Sequence, residues 1–150
     1  MCYNTLTTLN RTVYLLEDSV STTLTVHDAS TVDREGYAFL LDLDSETISV
    51  RELIRSRVFQ EVQEFNAKQS LHFRGLIQPA GAEATLNGFK LQKPRHLDWE
   101  QQFEVALQSF HDYGFLILVD DQQVTDLDQL IEVEPDTRVS FLKLVPLVGG

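Results

Sequence analysis

The chain has 150 residues, 43% of them hydrophobic, and a formal net charge of −11. A chain of this length buries about two-thirds of its unfolded surface when it folds, which is enough for one hydrophobic core. The negative charge repels nucleic acids and anionic membranes, so the expected partners are proteins. The longest apolar runs, Phe115–Val119 and Leu144–Val148, are far shorter than the ~20 residues that a membrane-spanning helix requires.

Residues 1–20 are expected to form an N-terminal extension outside the folded domain. They lack the basic segment and the long apolar stretch of a secretory signal, and this favours a cytoplasmic location. The single cysteine, Cys2, excludes an internal disulfide.

The first folded elements are expected to be two strands. Apolar and polar residues alternate over residues 22–26, as in a half-buried strand. A turn region at Asp28–Gly36 separates them from a second apolar run, Tyr37–Leu43. This pattern predicts a long hairpin.

A helix follows the hairpin. Ser49 and Glu52 have the spacing of a capping box, in which each side chain satisfies a backbone N–H of the first helical turn. The helix is predicted to end near Asn66 and to lie across the hairpin. Its apolar stripe consists of Val50, Leu53, Ile54, Val58, Val62 and Phe65.

The middle of the chain has a weaker pattern. Leu71–Arg74 and Ala84–Asn87 are candidate short strands. Pro79, Gly81 and Gly88 are expected to interrupt regular structure.

A second helix is predicted to begin after Asp98, with Gln101 three residues further on, and to stop at Gly114. Its apolar face consists of Trp99, Phe103, Ala106, Leu107 and Phe110.

The final third of the chain has the pattern of a strand, a short apolar segment, a turn and a last strand. Phe115–Val119 is apolar without alternation, which predicts a strand buried on both faces, and Asp120–Gln122 is expected to turn it. A short apolar segment at residues 127–133 precedes a turn at Glu134–Thr137. Val139–Leu144 is the predicted last strand.

The C-terminal residues form the candidate functional site: Pro146, Leu147, Val148, Gly149 and Gly150. Glycine has no Cβ, so a Gly-Gly end can enter a slot too narrow for other residues and present its carboxylate to a reactive centre. Pro146 fixes φ and lacks an N–H, which opposes continuation of the strand. These residues are therefore expected to form an extended tail.

The order of elements and the tail resemble the ubiquitin-like proteins, and most closely the sulfur-carrier branch that includes the small subunit of molybdopterin synthase and the thiamine sulfur carrier. The resemblance rests mainly on Pro135–Gly150. It implies an α+β fold of the β-grasp type, a mixed sheet wrapped on a helix. The expected organisation is a single domain over residues 21–145, with an insertion at about 67–112 that contains the second helix, and a tail over residues 146–150. Two tandem β-grasp units, divided near Pro79–Gly81, are an alternative.

The resemblance also implies a function. A partner activating enzyme with bound ATP and Mg²⁺ adenylates the Gly150 carboxylate. In a protein modifier of bacterial type, the acyl group then passes to cysteine thiols of the activating enzyme and of a conjugating enzyme, and finally to a lysine of a target protein. An antiviral role is compatible with this resemblance. The chain itself is expected to be neither an enzyme nor a cofactor-binding protein.

Two alternatives remain open. A sulfur carrier would form a C-terminal thiocarboxylate for cofactor biosynthesis, and a binding module would have an inert tail. Other candidate sites are weaker, because Asp42 and Asp44 fit a solvated strand end. The four histidines, His27, His72, His96 and His111, show no metal-ligand spacing.

Overall fold

Two helices and a mixed five-stranded sheet form an α+β fold in the computed structural model, which describes residues 21–31, 36–86 and 88–144. The main sheet has the order β2-β1-β10-β7-β8, and two smaller sheets pair β3 with β9 and β4 with β6 and β5. The helices are α1, Val50–Lys68, and α2, Trp99–His111. The strands are β1 (Thr22–Ser30), β2 (Tyr37–Leu43), β3 (Thr47–Ser49), β4 (His72–Phe73), β5 (Glu83–Thr85), β6 (Gly88–Lys90), β7 (Phe115–Val119), β8 (Gln122–Val124), β9 (Leu130–Glu132) and β10 (Val139–Lys143).

The first and last described strands lie side by side in the middle of the main sheet. β1 is antiparallel to β2, which confirms the predicted hairpin. On its other side β1 is parallel to β10, from Val26 opposite Val139 to Ser30 opposite Lys143. The predicted turn at Asp28–Gly36 therefore starts too early, because pairing with β10 extends β1 to Ser30.

Helix α1 begins as predicted. The Ser49 hydroxyl accepts a hydrogen bond from the Glu52 N–H, and the Glu52 carboxylate accepts one from the Ser49 N–H. The helix ends at Lys68, two residues beyond the expected end. All six residues of the predicted stripe are buried: Val50, Leu53, Ile54, Val58, Val62 and Phe65.

The region between the helices contains the three-stranded sheet. The two strand candidates correspond to β4 and β5, each shorter than expected. Gly88, which was expected to interrupt regular structure, instead begins β6. A Cβ at this position would lie 2.6 Å from the Phe73 carbonyl oxygen, so glycine permits the close approach of two strands.

One buried segment of this region is held by side chains from three other elements. The Lys143 Nζ of β10 donates to the Gly75 carbonyl, and the Glu61 carboxylate of α1 accepts from the Leu76 N–H. The Gln102 Nε2 of α2 donates to the Ile77 carbonyl. The region is thus joined to the same core as the main sheet.

Helix α2 also begins as predicted, since the Asp98 carboxylate accepts from the N–H groups of Glu100 and Gln101. The helix ends at His111, and the left-handed residue is Tyr113, with φ of 60°. Gly114 packs closely against Ser109, and a Cβ there would lie 2.2 Å from the Ser109 Oγ and displace that hydroxyl.

Strand β7 is buried on one face only, which corrects the expectation of burial on both. Phe115 and Ile117 are buried, whereas Leu116 and Leu118 are half-buried on the opposite face. The predicted turn into β8 is confirmed, with φ of 48° at Asp120 and 68° at Asp121. These positive φ values at both central residues match the twist of a two-residue hairpin.

Candidate functional site

The predicted tail residues, Pro146, Leu147, Val148, Gly149 and Gly150, lie outside the described residues. So do the predicted N-terminal extension, residues 1–20, and its Cys2. The structure does describe the base of the tail, where β10 leaves the sheet.

The backbone of β10 is held up to its last residue. The Thr31 N–H donates to the Lys143 carbonyl at 3.3 Å, and Lys143 also pairs with Phe115 of β7. Leu144, the next residue, is exposed. A small cleft of about 110 Å³ lies beside this exit, between the β1–β2 hairpin, Arg74 and the exposed Leu86.

The Lys143 side chain points into the protein. Its Nζ donates to the Gly75 carbonyl at 2.9 Å and lies 5.7 Å from the centre of the Phe89 ring. Burial is the largest influence on this amine and lowers its pKa below the usual value, and the nearby Arg57 lowers it further. Lys143 therefore connects the base of the tail to the region between the helices.

Next to Lys143 lies a buried ionic network centred on Arg57. Its Nη1 and Nη2 each lie 2.5 Å from an oxygen of Asp28, and its Nε lies 2.6 Å from Glu61 Oε1. The guanidinium carbon also lies 4.4 Å from the centre of the Phe141 ring and 5.0 Å from that of Phe39. Arg57 is 0% exposed.

The network has strongly perturbed electrostatics. Burial is the largest influence on Arg57 and lowers its pKa, but Glu61 and Asp28 more than compensate, so the net pKa is raised. Burial raises the pKa of Glu61, and Arg57 opposes that rise only in part. The balance between burial and attraction differs between Arg57 and Glu61 because of the geometry. Arg57 has two carboxylates that favour its charged form, whereas Glu61 shares a single guanidinium with Asp28, which occupies two of its nitrogens.

The arrangement is suited to holding elements together. Arg57 satisfies both oxygens of Asp28, and Glu61 accepts from Arg57 and from the Leu76 N–H. The network thus joins β1, α1 and the region between the helices around the β10 side chain of Phe141.

The three residues of this network were not predicted to form a site. Arg57 lies four residues after Leu53 and three after Ile54, so it falls on the apolar stripe, and Glu61 follows at i+4. An arginine on an apolar stripe with a carboxylate one turn later was the available signal. The sequence offered no such signal for Asp28, because only the fold brings Asp28 close to the helix.

Two clefts lie in different parts of the domain. One, of about 630 Å³, lies between β2, α1 and β4, where Phe39, Gln60 and His72 line it. Another of about 630 Å³ lies beside the start of β7, where Tyr113 and Asp126 contribute to its wall.

The structure gives no support to the weaker candidate sites from the sequence, the Asp42 and Asp44 pair and the histidines. Asp42 and Asp44 are exposed, and within residues 21–31, 36–86 and 88–144 there is no group of three or more His, Cys, Asp or Glu that could hold a metal ion. Trp99 is half-buried and packs edge to face with Phe59, at 5.2 Å between ring centres. Neither of the two described helices is long and apolar enough to cross a membrane.

Comparison of the chain with protein-family models, curated proteins and solved structures gives no match.

Proposed function

We propose that the chain is a ubiquitin-like protein modifier of β-grasp type, whose Gly150 carboxylate is activated and joined to lysines of target proteins. The observation that carries the proposal is the position of β10. This strand is parallel to β1 in the middle of the sheet, and it leads directly into the residues that contain the Gly-Gly motif.

The strand order supports the β-grasp assignment. The sheet order β2-β1-β10-β7-β8 has an antiparallel hairpin on one side of the central parallel pair and an antiparallel pair on the other. The buried stripe of α1 packs in the common core with β1, β2 and β10. A mixed sheet around one helix, with its first and last strands adjacent, is the arrangement expected of this fold.

The proposed chemistry requires one adenylyl transfer, then two acyl transfers or three where a conjugating enzyme takes part, and no catalytic group in this chain. The Gly150 carboxylate attacks the α-phosphate of ATP on the activating enzyme, forming an acyl-adenylate and releasing pyrophosphate. An enzyme cysteine thiolate displaces AMP to form a thioester. A lysine amine of the target then displaces the thiol, directly or after transfer to a conjugating enzyme, to form an isopeptide.

The region between the helices supports recognition by dedicated partners. Residues 69–97 carry four basic side chains and one acidic side chain, whereas the whole chain has a net charge of −11. The basic residues, Arg74, Lys90, Lys93 and Arg95, are all exposed. Such a local reversal of charge favours a partner with an acidic surface and disfavours others.

The experiment is mass spectrometry of tryptic peptides from cells that produce the chain ending at Gly150. Lys143 is the last basic residue, so trypsin leaves residues 144–150, Leu-Val-Pro-Leu-Val-Gly-Gly, on each modified lysine. The proposal expects this remnant on lysines of other proteins and its loss when Gly150 is deleted. Absence of the remnant under ATP-replete conditions, with an enzyme that adenylates the chain also produced, contradicts the proposal.

A sulfur carrier is the second candidate, favoured by the similarity of residues 144–150 to that branch. The intact mass of the purified chain distinguishes it. With ATP, Mg²⁺ and a sulfur donor, a carrier gains the mass difference between sulfur and oxygen at its C-terminus, whereas a modifier forms a reducible thioester with its enzyme. If neither product forms, a binding module with an inert tail becomes the preferred function.

A further inference from the structure

Strand β2 is a long apolar edge of the main sheet. It is the terminal strand in the order β2-β1-β10-β7-β8, and six of its seven residues, Tyr-Ala-Phe-Leu-Leu-Asp-Leu, are hydrophobic. Leu40 is 60% exposed. At the opposite edge, β8 has only three residues, two of them glutamine. Unpaired backbone groups on a long apolar edge are a template for pairing with another chain.

The Gln60 side chain of α1 covers this edge. Its Nε2 donates to the Leu40 carbonyl at 2.8 Å, and its Oε1 accepts from the Asp42 N–H at 3.1 Å. Nε2 also lies 3.3 Å from Glu64 Oε1, which orients the amide. In a parallel sheet, one residue of the neighbouring strand makes the same pair of bonds. Its N–H donates to one carbonyl, and its C=O accepts from the N–H two residues further along. The Gln60 amide thus takes the place of a neighbouring strand.

The bonds of Gln60 also identify which backbone groups face the edge. Because the N–H and C=O of a strand residue point to the same side, Leu40 and Asp42 face outward, and so does Ala38 two residues earlier. Leu41, between them, faces β1.

We propose that Gln60 is a removable cap on the β2 edge, and that removing it turns this edge into an interface with a second copy of the chain. In that interface β2 pairs antiparallel with β2 of the other copy about a two-fold axis centred on Leu40. This register places Leu40 opposite Leu40 and Ala38 opposite Asp42, so every outward-facing group meets another and no like charges are opposed.

The second copy fits because the strand is self-complementary in this register. Asp42 is the one charged residue of β2, and pairing with Ala38 keeps it apart from its counterpart. The strand contains no proline, so each outward-facing residue can both donate and accept in the new ladder.

The test compares Gln60→Ala with Gln63→Ala, a control that truncates the same residue type at an exposed position of the same helix. Sedimentation equilibrium over a wide range of protein concentration gives the mass. The proposal expects a monomer for the unsubstituted chain and for Gln63→Ala, and a concentration-dependent doubling of mass for Gln60→Ala. A monomeric Gln60→Ala variant, or a control that dimerises equally, overturns it.

A second variant tests the location of the interface. Adding Leu40→Lys to Gln60→Ala opposes two lysines at the two-fold axis, and Leu40 is exposed enough to accept the change without disturbing the core. The double variant is expected to return to a monomer. A double variant that dimerises as strongly as Gln60→Ala places the interface elsewhere and contradicts the proposal.

Amide hydrogen exchange separates edge pairing from misfolding. In dilute Gln60→Ala, exchange at Asp42 should become faster than in the unsubstituted chain, while Leu41, which faces β1, keeps its protection. At high concentration Asp42 should become protected again. Equal Asp42 exchange in both proteins shows that Gln60 does not cap the edge, and faster exchange at Leu41 at every concentration assigns any association to unfolding.

Discussion

Arg57 and Asp28 form an end-on, bidentate ion pair in which Nη1–Oδ1 and Nη2–Oδ2 are both 2.5 Å. They are 29 residues apart in the chain, one on α1 and the other on β1. Asp28 lies opposite Tyr37 of β2 and Phe141 of β10. The pair therefore fixes the helix over the three strands that include the one leading to the tail.

Replacing Arg57 with methionine should be strongly destabilising. The change leaves Asp28 and Glu61 without their cation in a buried site, and loss of one partner of a buried pair costs about 3–5 kcal/mol. Arg51→Met is the matched control, because Arg51 lies in the same helix and pairs with Asp128 at 3.7 Å on the surface. That change should cost at most about 1 kcal/mol. Urea unfolding measures both, and equal losses would show that the Arg57 network has no special role.

The stability of the protein should depend on pH through Glu61. Burial raises its pKa in the folded state above the usual 4.5, so the folded protein holds this proton more tightly than the unfolded chain does. The resulting stabilisation is fully present below pH 4.5 and is lost as the pH rises through the folded pKa.

Glu61→Gln isolates that contribution, because glutamine has the same shape and does not titrate. The free energy of unfolding of the unsubstituted protein, relative to the variant, should fall as the pH rises from about 4.5 towards neutrality. Urea unfolding of both proteins across this range gives the difference, in which the other carboxylates largely cancel. A difference that grows with pH would mean that Arg57 lowers the pKa of Glu61 below its usual value.

The capping box of α1 gives a third prediction. Ser49→Ala removes the acceptor for the Glu52 N–H and should cost about 1 kcal/mol. Ser49→Asp supplies another acceptor and should restore most of that stability. Thermal unfolding of the three proteins tests this, and an alanine variant as stable as the aspartate variant would show that the cap is not important.

Leu53→Ala should cost about 2–5 kcal/mol, because Leu53 is fully buried and its truncation leaves a cavity. Leu86→Ala removes the same atoms from a residue that is 95% exposed and should change stability by about 0.5 kcal/mol or less. If Leu53→Ala cost less than about 1 kcal/mol, the neighbouring side chains would have collapsed into the space.

The residues that were predicted correctly are those whose signals are local. Ser49 and Glu52 are three residues apart, and both ends of the capping box belong to the same helical turn. Asp120 and Asp121 form a two-residue turn between residues that pair directly. Gly88 was misinterpreted because its place in a strand depends on Phe73, fifteen residues earlier, whose carbonyl oxygen would lie 2.6 Å from a Cβ at this position.

Only part of the main candidate site could be predicted from the sequence, for the same reason. Pro146 to Gly150 are predicted from the sequence alone, since a Gly-Gly motif after an apolar strand is a local pattern. The residues at the base of that site were not, because Asp28, Arg57 and Lys143 come together only through the fold. The contacts of Lys143 with Gly75 and Phe89 join residues that are more than fifty positions apart, so no local pattern in the sequence indicates them.

The sequence by itself determined the two helices, the β1–β2 hairpin and the apolar stripe of α1, because capping and periodicity depend on residues within a few positions of each other. Tertiary structure alone decided that β10 lies parallel to β1, that Arg57 is buried between two carboxylates, and that Gln60 covers the β2 edge. Each of these depends on backbone and charged groups from distant parts of the chain. Folding buries these groups away from water, where they are stable only with hydrogen-bond or ionic partners.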